Sequence, residues 1–257
     1  MIIDAHVHVH PNAKGFGDRY DASIETLIKS LDQSEVDKAV VLPIAPKVSN
    51  DFIEKVCRDY PDQLIGFASV NPSEGEKALE DFDQSMEKFP FKGLKLHPRL
   101  QDFALNDPRI ITILQRAGER NIPVLIDAFP YGSGSIARSL PLLLDEVTHQ
   151  VPNTKIIMAH MGGYRFMDGM AVALSNKNVY VDISYVLSFF ENSIFEKMLE
   201  FAIKKVGANH VIYGSDHPEM PLPETFERTK GILKRFNLTD KETELIFGGT
   251  IQTLLGL

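Results

Sequence analysis

Ile2-Ile3-Asp4-Ala5-His6-Val7-His8-Val9, followed at once by His10-Pro11, decides how the rest of the chain is read. The run is short, rich in apolar and β-branched residues and closed by a proline, as a buried strand would be. Its end is polar in a particular way. His6 and His8 lie two apart, and alternate residues of a strand point to one face, so both imidazoles can meet at a single point. That is metal-ligand spacing, although two surface histidines would carry the same letters. His10 continues the alternation past the strand, beside Pro11, and is expected in a loop.

Seven further runs of the same kind follow: Lys38–Ile44, Leu64–Val70, Lys92–His97, Ile122–Phe129, Lys155–Met161, Val179–Ser184 and Val211–Asp216. Between them lie stretches with helical periodicity, among them Ser23–Gln33, Asn50–Tyr60, Glu74–Lys88, Pro108–Arg120, Phe195–Val206 and Leu222–Arg235. Eight units over 257 residues average about 32 residues, the size of a strand, a crossover helix and their loops. Strands separated by helices pair in parallel through right-handed crossovers, and eight at even spacing favour a closed barrel. An open doubly wound sheet would carry a glycine-rich phosphate turn after its first strand. Here that strand ends in histidines, and neither GxGxxG nor GxxxxGK[ST] occurs. The expected fold is α/β, a (β/α)8 TIM barrel forming one domain over residues 1–257, because a bare barrel already takes ~250 residues. Gly132–Ser135, within Tyr-Gly-Ser-Gly-Ser, reads as a loop after the fifth strand.

Composition narrows the partners. With 27 basic and 35 acidic residues the net charge is -8, which speaks against a broad nucleic-acid footprint and for a small-molecule substrate. A hydrophobic content of 44% fits a packed globular chain. Cys57 is the only cysteine, which excludes an intrachain disulfide framework and a cysteine-rich zinc site, and it is expected to pack in a helix. No apolar run approaches the ~20 residues that span a bilayer, and no basic region precedes an apolar stretch at the N-terminus. No membrane partner and a cytoplasmic location are the resulting expectations. A homodimer is expected only because soluble oligomers commonly take that form.

In a parallel barrel the reactive side chains gather at the C-terminal ends of the strands. Those ends read His6-Val7-His8, His97, Asp127, His160 and Asp216-His217. Asp216 closes a run that should be buried, so its carboxylate needs a partner or a metal. Helix capping is the plain alternative, weakened by Pro218 and by a following helix that starts only at Leu222. His160 precedes Met161-Gly162-Gly163, whose glycines would let backbone approach a ligand closely; a satisfied core histidine is its alternative.

Together these residues resemble the amidohydrolase superfamily, and within it the amidohydrolase-related family of TIM-barrel metal-dependent hydrolases that includes decarboxylases similar to aminocarboxymuconate-semialdehyde decarboxylase. The motifs are Ile3-Asp4-Ala5-His6-Val7-His8, Gly93-Leu94-Lys95-Leu96-His97-Pro98, Ala159-His160-Met161-Gly162-Gly163, Tyr213-Gly214-Ser215-Asp216-His217-Pro218 and the closing Ile246-Phe247-Gly248-Gly249-Thr250. Four in the family's order, spread over essentially the whole chain, carry the resemblance. It implies one divalent ion, Zn2+ first and Mn2+ or Mg2+ as alternatives. His6 and His8 would be its first-strand ligands, Asp216 the eighth-strand carboxylate, and His160 a further ligand or the residue that positions water. At the fifth strand the family reads Pro-Val-x-x-His, whereas this chain reads Pro123-Val124-Leu125-Ile126-Asp127. Asp127 can ligate as a carboxylate, His97 can take its place, or metal binding can be weakened or lost. Lys95 is read as electrostatic or structural in preference to a carboxylated, metal-bridging lysine.

The activity implied is hydrolysis of an amide, lactone or related carbonyl compound, with Asp216 relaying a proton and His160 orienting water or countering charge. Metal-dependent decarboxylation of an unsaturated or aromatic acid is the rival reading, and a metal-free binding protein on the same barrel is the second. His97, Arg99 and Arg165 are the candidate substrate-binding residues. Tyr131 and Tyr164 follow the same strand ends and can reach an anionic group, or be ordinary loop residues.

Overall fold

Each of the eight apolar runs forms a strand, and each strand pairs in parallel with the next. The computed structural model describes residues 1–15, 19–132 and 135–257, so Ser133 and Gly134 of the expected loop lie outside the described residues. The barrel strands are β1 Ile3–Val7, β2 Lys38–Val41, β3 Leu64–Gly66 continued by Ala68–Ser69, β4 Leu94–Leu96, β5 Val124–Ile126, β6 Ile156–Met158, β7 Val179–Asp182 and β8 Val211–Ile212, with a separate antiparallel pair, Lys14–Gly15 and Tyr20–Asp21, after β1. β1 pairs with β2 and β2 with the first half of β3. The second half of β3 pairs with β4, and the order then runs unbroken through β5, β6 and β7 to β8.

Phe67 is where β3 passes from one neighbour to the other. Its N–H donates to the Val41 carbonyl at 3.1 Å, and the Ala68 N–H to Gly93 at 2.8 Å. The barrel closes between β8 and β1: Ala5 N–H donates to the Tyr213 carbonyl (3.0 Å), Asp216 N–H to His6 (2.9 Å) and His8 N–H to His217 (2.7 Å). A parallel bridge joins Val7 to His217 at the same seam.

Polar caps start the helices where the sequence places them. Ser23, Ser49, Asp107 and Ser193 each accept a backbone N–H from the first turn of Ile24–Asp32, Asn50–Asp59, Pro108–Glu119 and Ile194–Val206. Such a cap is worth about 1 kcal/mol. The third candidate helix begins later than its apolar pattern suggests, at Glu76, because Pro72–Glu74 forms a separate short turn. Phe166–Ser175 is an additional helix, with Met and Ala-rich sequence and no side-chain cap. The strands themselves are shorter than the apolar runs. The sixth ends at Met158 because His160 and Met161 adopt left-handed φ values of 55° and 50°, which no extended strand can hold. Cys57 sits half-buried in its helix, as expected.

Two apolar layers result. Inside the barrel, Ile3, Ala5, Leu42, Phe67, Leu125, Ile157 and Ile212 meet Ile251, Leu254 and Leu255 of the closing helix Thr250–Leu255, which plugs the end away from the strand C-termini. The outward-facing residues of the strands pack under the helices in a larger second cluster. Both layers are apolar, and polar side chains concentrate at the open C-terminal end. Among the described residues no helix is long and apolar enough to cross a membrane.

Candidate metal centre at the barrel mouth

A β-bulge aims the first-strand histidines. Between Asp4 and Val7, β1 spends three residues where β2 spends only two, from Ala39 to Val41. The extra residue changes the parity of the strand. Ile3 and Ala5 face the barrel core, His6 and His8 line the cavity above it, and Val7 and Val9 pack outward. Asp4 pins this bend, its Oδ1 accepting the N–H of His6 at 3.0 Å and that of Ser215 at 2.9 Å. At the seam Gly214 admits β1, since a Cβ there would meet the His6 Cβ at 2.7 Å.

His6, His8 and Asp216 converge, with ligating atoms within 4.8 Å of one another. The two Nε2 atoms are 3.2 Å apart, and Asp216 Oδ1 lies 3.6 Å from that of His6 and 3.9 Å from that of His8. Asp216 stands at φ 69°, a left-handed conformation that side chains seldom adopt and that is concentrated at functional sites. Each imidazole is anchored through its other nitrogen: His6 Nδ1–H donates to Asp182 Oδ2 (2.9 Å) and His8 Nδ1–H to the Leu42 carbonyl (2.7 Å). Burial, then the Lys95 charge, pushes the His6 pKa down to about 4; burial, then the charges of His6 and Lys95, holds that of His8 well below its usual range. Both rings are therefore neutral, with the proton on Nδ1 and Nε2 as the acceptor atom.

A divalent cation suits this donor set. Two neutral imidazoles and a carboxylate are common zinc ligands, and two nitrogens ~2.0 to 2.1 Å from one tetrahedral ion stand about 3.3 Å apart. Partner groups on the far ring nitrogens are also what metal-bound histidines show. Lys95, fully buried, points Nζ at His6 Nε2 from 3.3 Å. Burial lowers its pKa, against the pull of Asp127 and Asp182.

The other expected site residues form a second cluster that adjoins the first, the His160 ring lying 4.9 Å from that of His6 between centroids, and His6, His160 and Asp182 make a second group whose ligating atoms lie within 4.8 Å of one another. His160 Nε2 faces Asp127 Oδ2 at 3.4 Å, His97 Nε2 faces the same oxygen at 3.8 Å, and Arg99 Nε is 3.7 Å from Asp127 Oδ1. Burial alone would depress the His160 imidazole. The hydrogen bond to Asp127 and the nearby charges of Asp216 and Asp182 overcome it and push the pKa up to about 9. Asp127 is held well below the usual carboxylate range, its burial outweighed by His97, His160 and Arg99. Asp127 thus stands in an ion pair with His160 and outside the compact His6, His8 and Asp216 trio. Arg165, expected at the substrate, turns instead to Asp168 at 2.6 Å and does not line the cavity. Gly163 serves packing rather than a ligand: a Cβ there would meet the Phe129 ring at 1.9 Å.

Sequence reasoning missed Asp182, the last residue of β7. Its Oδ2 orients His6, while Oδ1 accepts from the N–H of His160 (3.1 Å), the N–H of Ser184 (2.9 Å) and the Ser184 hydroxyl. Tyr185 and Glu219 were missed as well, and with Phe129 and Tyr131 they complete a cavity of about 120 Å3. A carboxylate ending an apolar run, as Asp127 and Asp216 also do, was the available signal for Asp182.

Comparison with known proteins agrees with this architecture. The amidohydrolase family model Amidohydro_2 matches residues 3–257. An uncharacterized TIM-barrel protein, Bb4693 of Bordetella bronchiseptica, superposes with a TM-score of 0.83 at 17% identity, over 99% of this chain and 98% of that one. A probable 2-pyrone-4,6-dicarboxylic acid hydrolase from Acinetobacter baumannii, with citric acid bound, gives 0.72 at 19% identity over 100% and 99%. A 5-carboxyvanillate decarboxylase from Novosphingobium aromaticivorans, with bound manganese, gives 0.77 at 16% identity over 100% and 97%. At these identities the structures show the shared barrel, and the family match extends over nearly the whole sequence: the chain belongs to the amidohydrolase family.

Proposed function

We propose that the chain hydrolyses a small lactone or amide that carries a carboxylate, using one divalent ion held by His6, His8 and Asp216. The convergence of those three groups, with both Nδ1 atoms committed to other acceptors, carries the reading. Zn2+ is the first candidate from the nitrogen-rich donor set, with Mn2+ or Mg2+ as alternatives. The ion supplies Lewis acidity toward a carbonyl oxygen and makes water more acidic.

The chain's own groups supply the rest. Asp216, which lines the cavity beside His6 and His8, stands where it can take a proton from water and return it to a leaving group. His160, kept cationic by Asp127, holds positive charge against the cavity where a carbonyl oxygen becomes anionic. Arg99 and His97 offer a carboxylate its counter-charge and donors, and Phe129, Tyr131 and Tyr185 provide apolar walls. Two of the similar structures are of proteins named for acting on carboxylated rings, which supports an acidic substrate.

Decarboxylation on the same residues is the second reading, favoured by the cationic floor of Lys95, Arg99 and His160, which would hold a scissile carboxylate. A panel of carboxylated lactones, amides and unsaturated acids separates the two: proton release with ring opening marks hydrolysis, carbon dioxide marks decarboxylation. Asp216→Asn should lower either rate by about 10²- to 10⁴-fold. A metal-loaded enzyme that keeps its rate in that variant would overturn the assignment of Asp216.

A further inference from the structure

Two adjoining helices on the outside of the barrel turn apolar stripes to solvent. Phe166–Ser175 exposes Met167, Ala171 and Leu174, spaced i, i+4 and i+7 on one face. Ile194–Val206 exposes Ile194 (81%), Met198 (40%) and Phe201 (49%) in the same spacing. Its polar flank faces away from the first helix, where Glu196 accepts from Arg235 (3.0 Å) of Leu222–Arg235, so the apolar stripe lies on the side packed against Phe166–Ser175. Phe189 and Tyr164, with ring centroids 5.2 Å apart, carry the patch up to the rim of the cavity.

A surface helix needs one apolar stripe, for the core, and both helices already have one. Val172 and Ala173 in the first and Leu199, Ala202 and Ile203 in the second are buried beneath the outer stripes. The outer stripes are surplus. The seven large side chains of the two stripes and the rim, from about a third to four-fifths exposed, together present on the order of 700 Å2. That exceeds the few hundred Å2 usual for the contiguous apolar surface of a monomer and is close to the ~800 Å2 that each partner contributes to a standard interface.

We propose that this face is the docking surface for a second copy of the chain, paired about a two-fold axis that sets the patch against itself. Isologous pairing needs one self-complementary surface, and an apolar patch of this area provides it. The borders do not select a strongly charged partner. Lys204 is neutralised by Glu200 at 2.7 Å, and Lys205 lies over the Phe201 ring, 5.6 Å from its centroid, instead of projecting a bare charge. Pairing also brings the second copy against Tyr164 and Phe189, beside the cavity mouth, where it narrows the approach to the site. The inference goes beyond the proposed reaction and stands independently of it.

Sedimentation equilibrium of the full chain at tens of micromolar tests it. The expected mass is twice the 28.8 kDa of one chain. The Met198→Glu, Phe201→Glu double variant, altered at exposed positions away from the cavity, should sediment at half that mass with an unchanged far-UV spectrum. Ala171→Arg, on the other helix, provides a second route to the monomer should the double variant fail to fold. Metal content should be the same in monomer and dimer, so loss of metal binding would count against the proposed reaction and not against the interface. A monomeric native chain, or folded variants that stay dimeric, would overturn the proposal. So would flotation of a monomeric native chain with phosphatidylcholine and phosphatidylserine vesicles, if the double variant abolished it, since the face would then be a membrane surface.

Discussion

Replacing Asp182 by Asn isolates what the buried carboxylate does for the metal ligands. Its Oδ1 can go on accepting from His160 N–H, Ser184 N–H and the Ser184 hydroxyl. The amide nitrogen would then stand 2.9 Å from His6 Nδ1, donor against donor. His6 can relieve the clash by moving its proton to Nε2, and that removes the lone pair aimed at His8 and Asp216. Lost partner groups of this kind weaken metal binding about 10- to 100-fold, equivalent to about 1.4 to 2.8 kcal/mol. The fold should survive, because only one of four accepted bonds is lost. Asp182→Ala removes all four and strands two buried N–H groups, at about 1 to 3 kcal/mol each, which makes it the less informative variant. Competition against a chelating indicator near neutral pH gives the affinity, and long-range proton–nitrogen spectra give the His6 tautomer. Affinity within twofold of the native protein, with His6 still protonated on Nδ1, would refute the role assigned to Asp182.

Asp127→Asn should uncouple His160. In the metal-free protein its imidazole should titrate near 9, and in the variant lower, because the Asp127 hydrogen bond and charge are lost while those of Asp216 and Asp182 remain, as followed by proton resonances of the ring. Because folding raises this pKa, the stabilisation linked to His160 protonation, to which Asp127, Asp216 and Asp182 all contribute, is complete below about pH 6.5 and is lost as pH rises through about 9. Denaturant melts of native and variant chains at pH 6 and pH 10 should therefore differ more at the lower pH; equal differences would place the pair's worth elsewhere. Lys95→Met should tighten metal binding about 30-fold, since a unit charge about 4 Å from a divalent cation opposes it by about 2 kcal/mol in water and more in a buried site. Burial depresses the Lys95 ammonium, so the lower figure applies. Loss of metal in that variant would instead identify Lys95 as a ligand in carboxylated form.

Local chemistry explains why so much of this was legible. Strand runs, polar caps and the two-residue spacing of His6 and His8 are encoded within a few residues of each other. Pairing across the barrel is not. Asp182 meets His6 across 176 positions and Ser184 meets His6 across 178, so nothing beside either residue announces the contact. Asp127 shows the same limit from the other side. Its place at a strand end was readable, but whether it faced a metal or His160 depended on where β6 set the imidazole. Phe166–Ser175 escaped because its apolar residues surround the helix, leaving a weak period, and because a left-handed stretch at His160–Gly163 precedes it in place of a cap. The two-sided apolar character that hid the helix is the same property that gives it an outer stripe.

Asp4 touches both ends of the fold, holding His6 beside it and Ser215 from 211 positions away. The ligand trio is likewise split between the first strand and the segment following the last. A nascent or truncated chain that has not made its eighth strand holds two histidines and no carboxylate to complete them. Under the proposed reading, tight metal binding would become available only after β8 has been made and the ring has shut. From then on, opening the seam between β8 and β1 would separate the proposed ligands, so a bound ion would resist that opening in particular. Metal occupancy would thus act as a clasp on the barrel, and amide exchange along the seam would report it.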